Sequence, residues 1–323
     1  MCIRDRRQHL NRHKISELRY LEAGTIEELD DWNKFPAILK PVDSQGQRGI
    51  YKINSKEEIA NYFEKTIKRS RNVSKKIVKG VEYLFKKNNI DRVDGFGKLN
   101  TSKGIDIIDA DGNITETVNA DKIIIATGAR PKAIPTIPVD REYVITSSEA
   151  MTLAEQPKEL IIIGAGVIGI EFAYFYSTIG TKVTVVEMLD SILPNEDKEV
   201  SSTLQASLSK RGVEFHLSTK VESVKVDGER VLVGIEKDGE KLELSADKVL
   251  NAIGVSPNSE NIGLEELGIE TERGNILVDK STYKTNVEGI FAIGDVIGQP
   301  CLAHVASAEG IHCVEKIHGA DIP

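Results

Sequence analysis

Cysteine is scarce in this chain. Only Cys2, Cys301 and Cys313 occur among 323 residues, and none is spaced like a redox pair or a metal-binding knuckle. That excludes a disulfide-stapled scaffold, points to no metal, and fits a reducing, cytoplasmic compartment. Long apolar runs are also missing. The longest, residues 160–170, is interrupted by three glycines and falls short of the roughly 20 residues that cross a bilayer. No secretory signal is expected either, since the arginine-rich start has no apolar stretch behind it. Positive charge is not in excess: the net charge is −8, so no global basic field calls for nucleic acid.

What is present suffices for a sizeable core: 40% of the residues are hydrophobic, and the length suggests about two domains. Residues 1–13 are basic and patternless and read as an unstructured leader. Residues 14–72 have a texture of their own. Residues 73–140 open with a helix and continue as strand-like pieces. Residues 141–283 alternate strand and helix before a run of strands, and residues 284–323 close with a strand and a helix. The opening helix is expected over residues 73–88, with Val73, Ile77, Val81, Leu84 and Phe85 on one stripe and lysines opposite. The basic run 65–79 reads as a solvated helix face, because no aromatic residues interleave with its charges. Asp111–Gly112 and Asp238–Gly239 each separate two β-rich runs, as tight hairpin turns do.

The most informative stretch is residues 159–173. An apolar run over 160–163 suits a buried parallel strand. Gly164, Ala165, Gly166, Val167, Ile168 and Gly169 then fit the pattern G-x-G-x-x-G. The first glycine allows a tight turn, the second a close backbone approach to a pyrophosphate, and the third close helix–strand packing. The free amides and positive dipole end of the following helix would face the phosphates. The context supports this: the helix reaches Gly180, a second strand covers 182–186, and Glu187 stands at its end. An acid there accepts hydrogen bonds from a ribose 2′-hydroxyl and repels a 2′-phosphate, so the reading is NAD rather than NADP. A helix over 196–211 closed by Gly212, a third strand over 213–217, three meander strands, and a strand ending at Gly254 complete the unit.

Two further strands end in small residues on either side of this unit: residues 121–131, containing Ala126-Thr127-Gly128-Ala129, and residues 289–295, ending Ala292-Ile293-Gly294-Asp295. The order Ala-Thr-Gly, G-x-G-x-x-G, Ala-Ile-Gly-Asp, then Leu302-Ala303-His304, resembles the pyridine nucleotide-disulfide oxidoreductases, and within them the dihydrolipoyl dehydrogenases, over residues 73–323. The resemblance implies an α/β fold in which a Rossmann-like NAD-binding domain is inserted in an incomplete FAD-binding domain. It implies FAD contacts for Thr127, Gly128, Ala129, Asp295, Cys301, Leu302, Ala303 and His304, and backbone contacts of Val221 and Gly254 with NAD. Glu171 matches a glutamate that lies near the nicotinamide. The implied activity is hydride transfer between NAD and FAD coupled to dithiol/disulfide exchange on a lipoyl-type substrate, in a homodimer with no membrane or nucleic-acid partner.

The chain also departs from that pattern. The resemblance implies a first flavin-binding G-x-G-x-x-G, a C-x-x-x-x-C pair and a C-terminal dimerisation domain. No such fingerprint precedes Asp121, no cysteine pair occurs, and Pro323 falls where the last domain begins. Residues 35–52, with Lys40, Ser44, Gly46, Arg48 and Gly49, instead resemble the nucleotide-grasping hairpin of ATP-grasp ligases, which implies a small α+β fragment over 14–72 and a join of two unrelated segments after Arg71. The alternatives to an oxidoreductase are therefore a non-catalytic NAD-binding fragment and an ATP-grasp ligase fragment.

Overall fold

The structure is a computed structural model that describes residues 62–320 and two short strands, β1 (Ala37–Leu39) and β2 (Tyr51–Ile53). The strands pair antiparallel. Lys40, Ser44, Gly46, Arg48 and Gly49 of the ATP-grasp-like motif, and the expected leader 1–13, lie outside the described residues. Helix α1 runs over Tyr62–Lys87. It begins earlier than the apolar stripe suggests and passes without a break through Arg71, where two segments were expected to join. Its stripe is not core: Val73, Ile77, Val81 and Leu84 are all exposed, Ile77 at 63%.

The described chain divides into two compact units. Among the described residues, one takes in 133–253 with those up to Ile77, and the other 78–132 and 254–320. These limits differ from the expected 141–283. Residues 254–283 fold with the flanking pieces, because Val255–Pro257 pairs with Ala129–Pro131 rather than joining the central sheet.

After α1 the second unit begins with an antiparallel sheet of β3 (Phe96–Leu99), β4 (Gly104–Ile108) and β5 (Ile114–Asn119). The Asp111–Gly112 turn is wider than a two-residue hairpin. Asp109 Oδ1 accepts the amides of Asp111 and Asn113 and rounds off a five-residue loop between Ile108 and Ile114. Strands β6 (Ile123–Ile125) and β7 (Ala129–Pro131) follow.

The first unit is built on a parallel sheet. Its members are β8 (Val144–Ile145), β9 (Glu159–Ile163), β10 (Lys182–Val186), β11 (Glu214–His216) and, after a meander, β15 (Lys248–Asn251). Their order is β11-β10-β9-β15-β8, with every pair parallel. Between them run α2 (Ser147–Ala150), α3 (Val167–Thr178) and α4 (Lys198–Ser209). The meander is β12 (Lys220–Asp227), β13 (Arg230–Lys237) and β14 (Glu240–Ala246), antiparallel throughout. Here the Asp238–Gly239 turn is the two-residue kind expected: both residues have positive φ, 53° and 84°, the type I′ geometry that suits strand twist.

Successive side chains of a strand point to opposite faces, and β9 serves two cores in this way. Leu160 and Ile162 pack with Ile170, Ala173 and Tyr176 of α3 and Leu208 of α4. Ile161 and Ile163 pack with Val224, Val231, Val233 and Ile235 of the meander. Burial on both faces explains why this strand is continuously apolar. At its other end Arg230 bridges Glu159 and Asp247 at 2.5 and 2.8 Å, while Asp247 Oδ2 accepts the amides of Lys158 and Glu159.

The second unit resumes with β16 (Val255–Pro257), the short pair β17 (Thr271–Glu272) and β18 (Asn275–Ile276), β19 (Ile290–Ala292) and helix α5 (Ala303–Ile317). Strand β19 lies parallel to β6, and Leu99, Ile123, Ile125, Leu264, Ile290, Ala292 and Val296 share its core.

Candidate functional site

In the first unit β9 ends at a glycine corner. Gly164 has φ 104°, and a Cβ there would collide with the carbonyl oxygen of Ala252, so only glycine fits. A Cβ on Gly169 would collide with the Gly164 oxygen, which shows how closely α3 approaches the strand. Gly166 differs from both: it is the N-cap of α3, and nothing lies within 4 Å of where its Cβ would point. No side chain caps this helix end, and the amides of its first turn, Val167, Ile168 and Gly169, have no partner within the helix. The corner is thus a cradle with room beside Gly166 for a group that a side chain would displace, which fits a dinucleotide pyrophosphate.

Glu187 turns toward the corner. Its Oε2 accepts the amide of Ala165 at 2.7 Å and its Oε1 the amide of Leu189 at 2.9 Å. Its own backbone is held on both sides, N–H to the His216 oxygen and carbonyl from the Thr219 amide, each at 2.9 Å. Two oxygens with a lone pair each to spare remain at the corner. Leu193 closes the far side by donating its amide to the Ala165 oxygen at 2.9 Å. The G-x-G-x-x-G spacing does not reveal Leu189, Leu193 or Thr219, because they act through the backbone and carry no residue-type signal. Val221 stands two residues past Thr219, at the irregularity where β12 slips against β13. Glu171 is exposed on α3. Gly254, with φ 117° and open space around it, belongs to the other unit.

The second unit holds the remaining expected residues in two groups. Thr127, Gly128 and Ala129 form the crossing from β6 to β7, with Gly128 at φ 71°. Asp295 lies half-buried in the turn Gly294–Ile297 after β19. Glu309 on α5, which the motifs do not reveal, holds this turn by accepting the Gly294 amide at 2.7 Å. Leu302 is the N-cap of α5 without a side-chain cap, so Ala303 and His304 begin a 15-residue helix whose first amides are not capped by a side chain. Cys301 precedes it. Burial first, and then the Asp295 charge, push its thiol above the usual range, so it stays protonated at neutral pH. Cys313 is fully buried, and burial raises its thiol too. Neither behaves as an activated nucleophile. Among the described residues no group of three His, Cys, Asp or Glu could hold a metal, and no helix is long and apolar enough to cross a membrane.

A glycine-cornered strand–helix with an acid reaching the corner defines a dinucleotide-binding class of fold. Comparison with known proteins narrows it. A model of the family described as pyridine nucleotide-disulphide oxidoreductase matches residues 29–310, and the chain belongs to that family. The match begins inside the segment 14–72 that resembles ATP-grasp ligases. The chain is 43% identical to a dihydrolipoyl dehydrogenase of Rhizobium etli over 265 residues, 78% of this chain and 55% of the relative. It is 40% identical to a leghemoglobin reductase of Vigna unguiculata over 245 residues, 75% of this chain and 47% of that protein. Among solved structures, LpdA from Mycobacterium tuberculosis superposes with a TM-score of 0.73 at 30% identity, covering 80% of this chain and 56% of its own. The flavoprotein disulfide reductase RclA from Escherichia coli gives 0.71 at 28% identity, covering 80% and 57%. The chain therefore spans about half the length of the curated relatives it matches. Membership implies FAD and NAD(H) as the family's cofactors.

Proposed function

We propose that this chain is the nicotinamide-binding core, with part of the flavin site, of a dihydrolipoyl dehydrogenase-type oxidoreductase. A Rossmann-like NAD-binding domain over 133–253 is inserted in an incomplete FAD-binding domain made of 78–132 and 254–320. The observation that carries the reading is the open space at Gly166 beside a Glu187 carboxylate already oriented by the Ala165 amide. In this role the α3 amides hold a diphosphate, and Glu187 accepts the ribose hydroxyls and repels a 2′-phosphate. Val221 approaches the dinucleotide through its backbone, and Glu171 serves its nicotinamide end. Thr127, Gly128 and Ala129 border the flavin, Asp295 accepts its hydroxyls, and the residues from Cys301 to His304 present the positive end of α5 to it. FAD, when bound, supplies a two-electron acceptor for hydride.

Dithiol exchange on a lipoyl-type substrate needs two thiols and a base; none of the three cysteines is spaced as a redox pair in the sequence, and among the described residues Cys301 and Cys313 are free. We therefore expect NADH binding without lipoamide turnover. The purified protein, titrated with NADH and NADPH by fluorescence, should bind NADH at least about tenfold more tightly, a difference of 1.4 kcal/mol. Equal affinities would remove Glu187 from the site, and measurable NADH-dependent lipoamide reduction would overturn the expected lack of turnover. The cysteine scarcity favours a second reading, a nucleotide-binding module without catalysis. A colourless protein that binds NADH supports that module, and a yellow one that retains flavin supports the oxidoreductase.

A further inference from the structure

The crossing Thr127–Gly128–Ala129 is held from one place. The backbone N–H of Asn258 donates to the Gly128 oxygen at 2.9 Å, and its side-chain Nδ2 donates to the Thr127 oxygen at 3.0 Å. The Thr127 hydroxyl returns a bond to the Asn258 carbonyl at 2.7 Å. The remaining side-chain atom, Oδ1, accepts from Arg130 Nη1 at 3.1 Å, and the same nitrogen reaches the Pro257 carbonyl at 3.0 Å. Arg130 Nη2 is anchored in turn by Glu260 at 2.7 Å. Just beyond, Ala129 pairs with Pro257 in the β7–β16 ladder. Both carbonyls of the Thr127–Gly128 pair are thus turned toward Asn258. The other side of the crossing is left open, since nothing lies within 4 Å of the place where a Gly128 Cβ would point.

We infer that Asn258 is the positioning residue of the flavin-bordering crossing. It uses up the carbonyls on one side so that Gly128 keeps its left-handed conformation and presents a bare backbone face on the other. The inference deepens the flavin reading above and rests on it. Asparagine suits the position because the task needs a donor for the Thr127 carbonyl and an acceptor for Arg130 on one planar group. Aspartate keeps the shape and the Arg130 contact but sets an anionic oxygen against the Thr127 carbonyl. Alanine removes both side-chain bonds. Glu260 touches only Arg130 in this network, so Glu260→Gln is the control.

The test is FAD titration of the purified chain by flavin fluorescence, together with amide hydrogen exchange at residues 127–129 and an NADH titration. Asn258→Ala and Asn258→Asp should each weaken FAD binding about tenfold and speed exchange at the crossing, with NADH affinity unchanged. Glu260→Gln should match the wild type in all three. A wild type that binds FAD while both Asn258 variants bind it equally well sinks this inference and leaves the flavin reading standing. A wild type that binds NADH but no FAD sinks the flavin reading and this inference with it. Should Asn258→Ala fail to fold, the near-isosteric Asn258→Asp decides between the same two outcomes.

Discussion

Strands β9 and β6 each lead into a glycine of positive φ, Gly164 and Gly128, and their surroundings differ. Strand β9 lies between parallel neighbours β10 and β15, and its corner at Gly164 meets the carbonyl of Ala252 from the β15 side of the sheet. Strand β6, ending before Gly128, has one ladder partner among the described residues, β19. The corner after β9 is packed against the backbone of its own sheet at Ala252, with the Glu187 carboxylate and the Leu193 amide added at Ala165. The crossing after β6 is held by a polar side chain, Asn258, and by Arg130. Similar sequence endings can therefore rest on different physics: close backbone packing against a neighbouring strand, braced by one carboxylate, in one unit, and side-chain hydrogen bonds from Asn258 and Arg130 in the other.

The largest expected effect tests the first half of this contrast. Gly166→Val places a branched side chain in the space read as the diphosphate's. NADH binding should be lost from a fluorescence titration while the circular dichroism spectrum stays native, because nothing in the protein occupies that space. A variant that still binds NADH would show that the corner is not the site. Next comes the core beneath each strand. Ile162→Ala, in the two-faced sheet, should cost about 2–5 kcal/mol by denaturant titration. Ile125→Ala, in the two-stranded sheet, should fall at the lower end of that range, and equal losses would erase the contrast in support. Glu187→Ala should weaken NADH binding by about 1–3 kcal/mol, the usual cost of losing hydrogen bonds to a charged group. Unchanged affinity would leave Glu187 as a brace for the corner only. The smallest effect concerns Cys301. Since burial and Asp295 hold its thiol above the usual range, the thiolate is depleted at neutral pH and grows as pH rises. Alkylation by iodoacetamide, followed by mass spectrometry, should be slow at pH 7 and accelerate only above the pH at which a free thiol does. Rapid labelling at pH 7 would contradict the assigned environment.

Much of the first unit is legible in the sequence because its chemistry is local. The apolar run before Gly164, the glycine spacing, and strand 182–186 with its terminal acid each follow from period and sterics, and the structure places β10 at those residues. The Asp238–Gly239 hairpin is equally readable, since two positive φ values demand such residues. Other features are set by distant partners and leave no local trace. The apolar stripe of α1 has core spacing, yet its residues are exposed. Residues 254–283 follow the central sheet in sequence but fold with the flanking unit, because β16 finds its partner in β7, well over a hundred residues earlier. Asn258 serves through a hydrogen bond to a backbone group 131 residues away and Glu309 through one 15 residues away, and no motif spacing announces them.

Glu187 enters the corner already fixed by two amides and by its strand. A flexible carboxylate would lose rotamer freedom at the moment a sugar hydroxyl arrived, which subtracts about 0.5–1.5 kcal/mol from affinity. Here that loss is incurred when the chain folds, so on the proposed reading an arriving nucleoside would meet a rigid acceptor. Selectivity between sugars with and without a phosphate at this hydroxyl would then be a property of the fold itself, in place before any ligand is present.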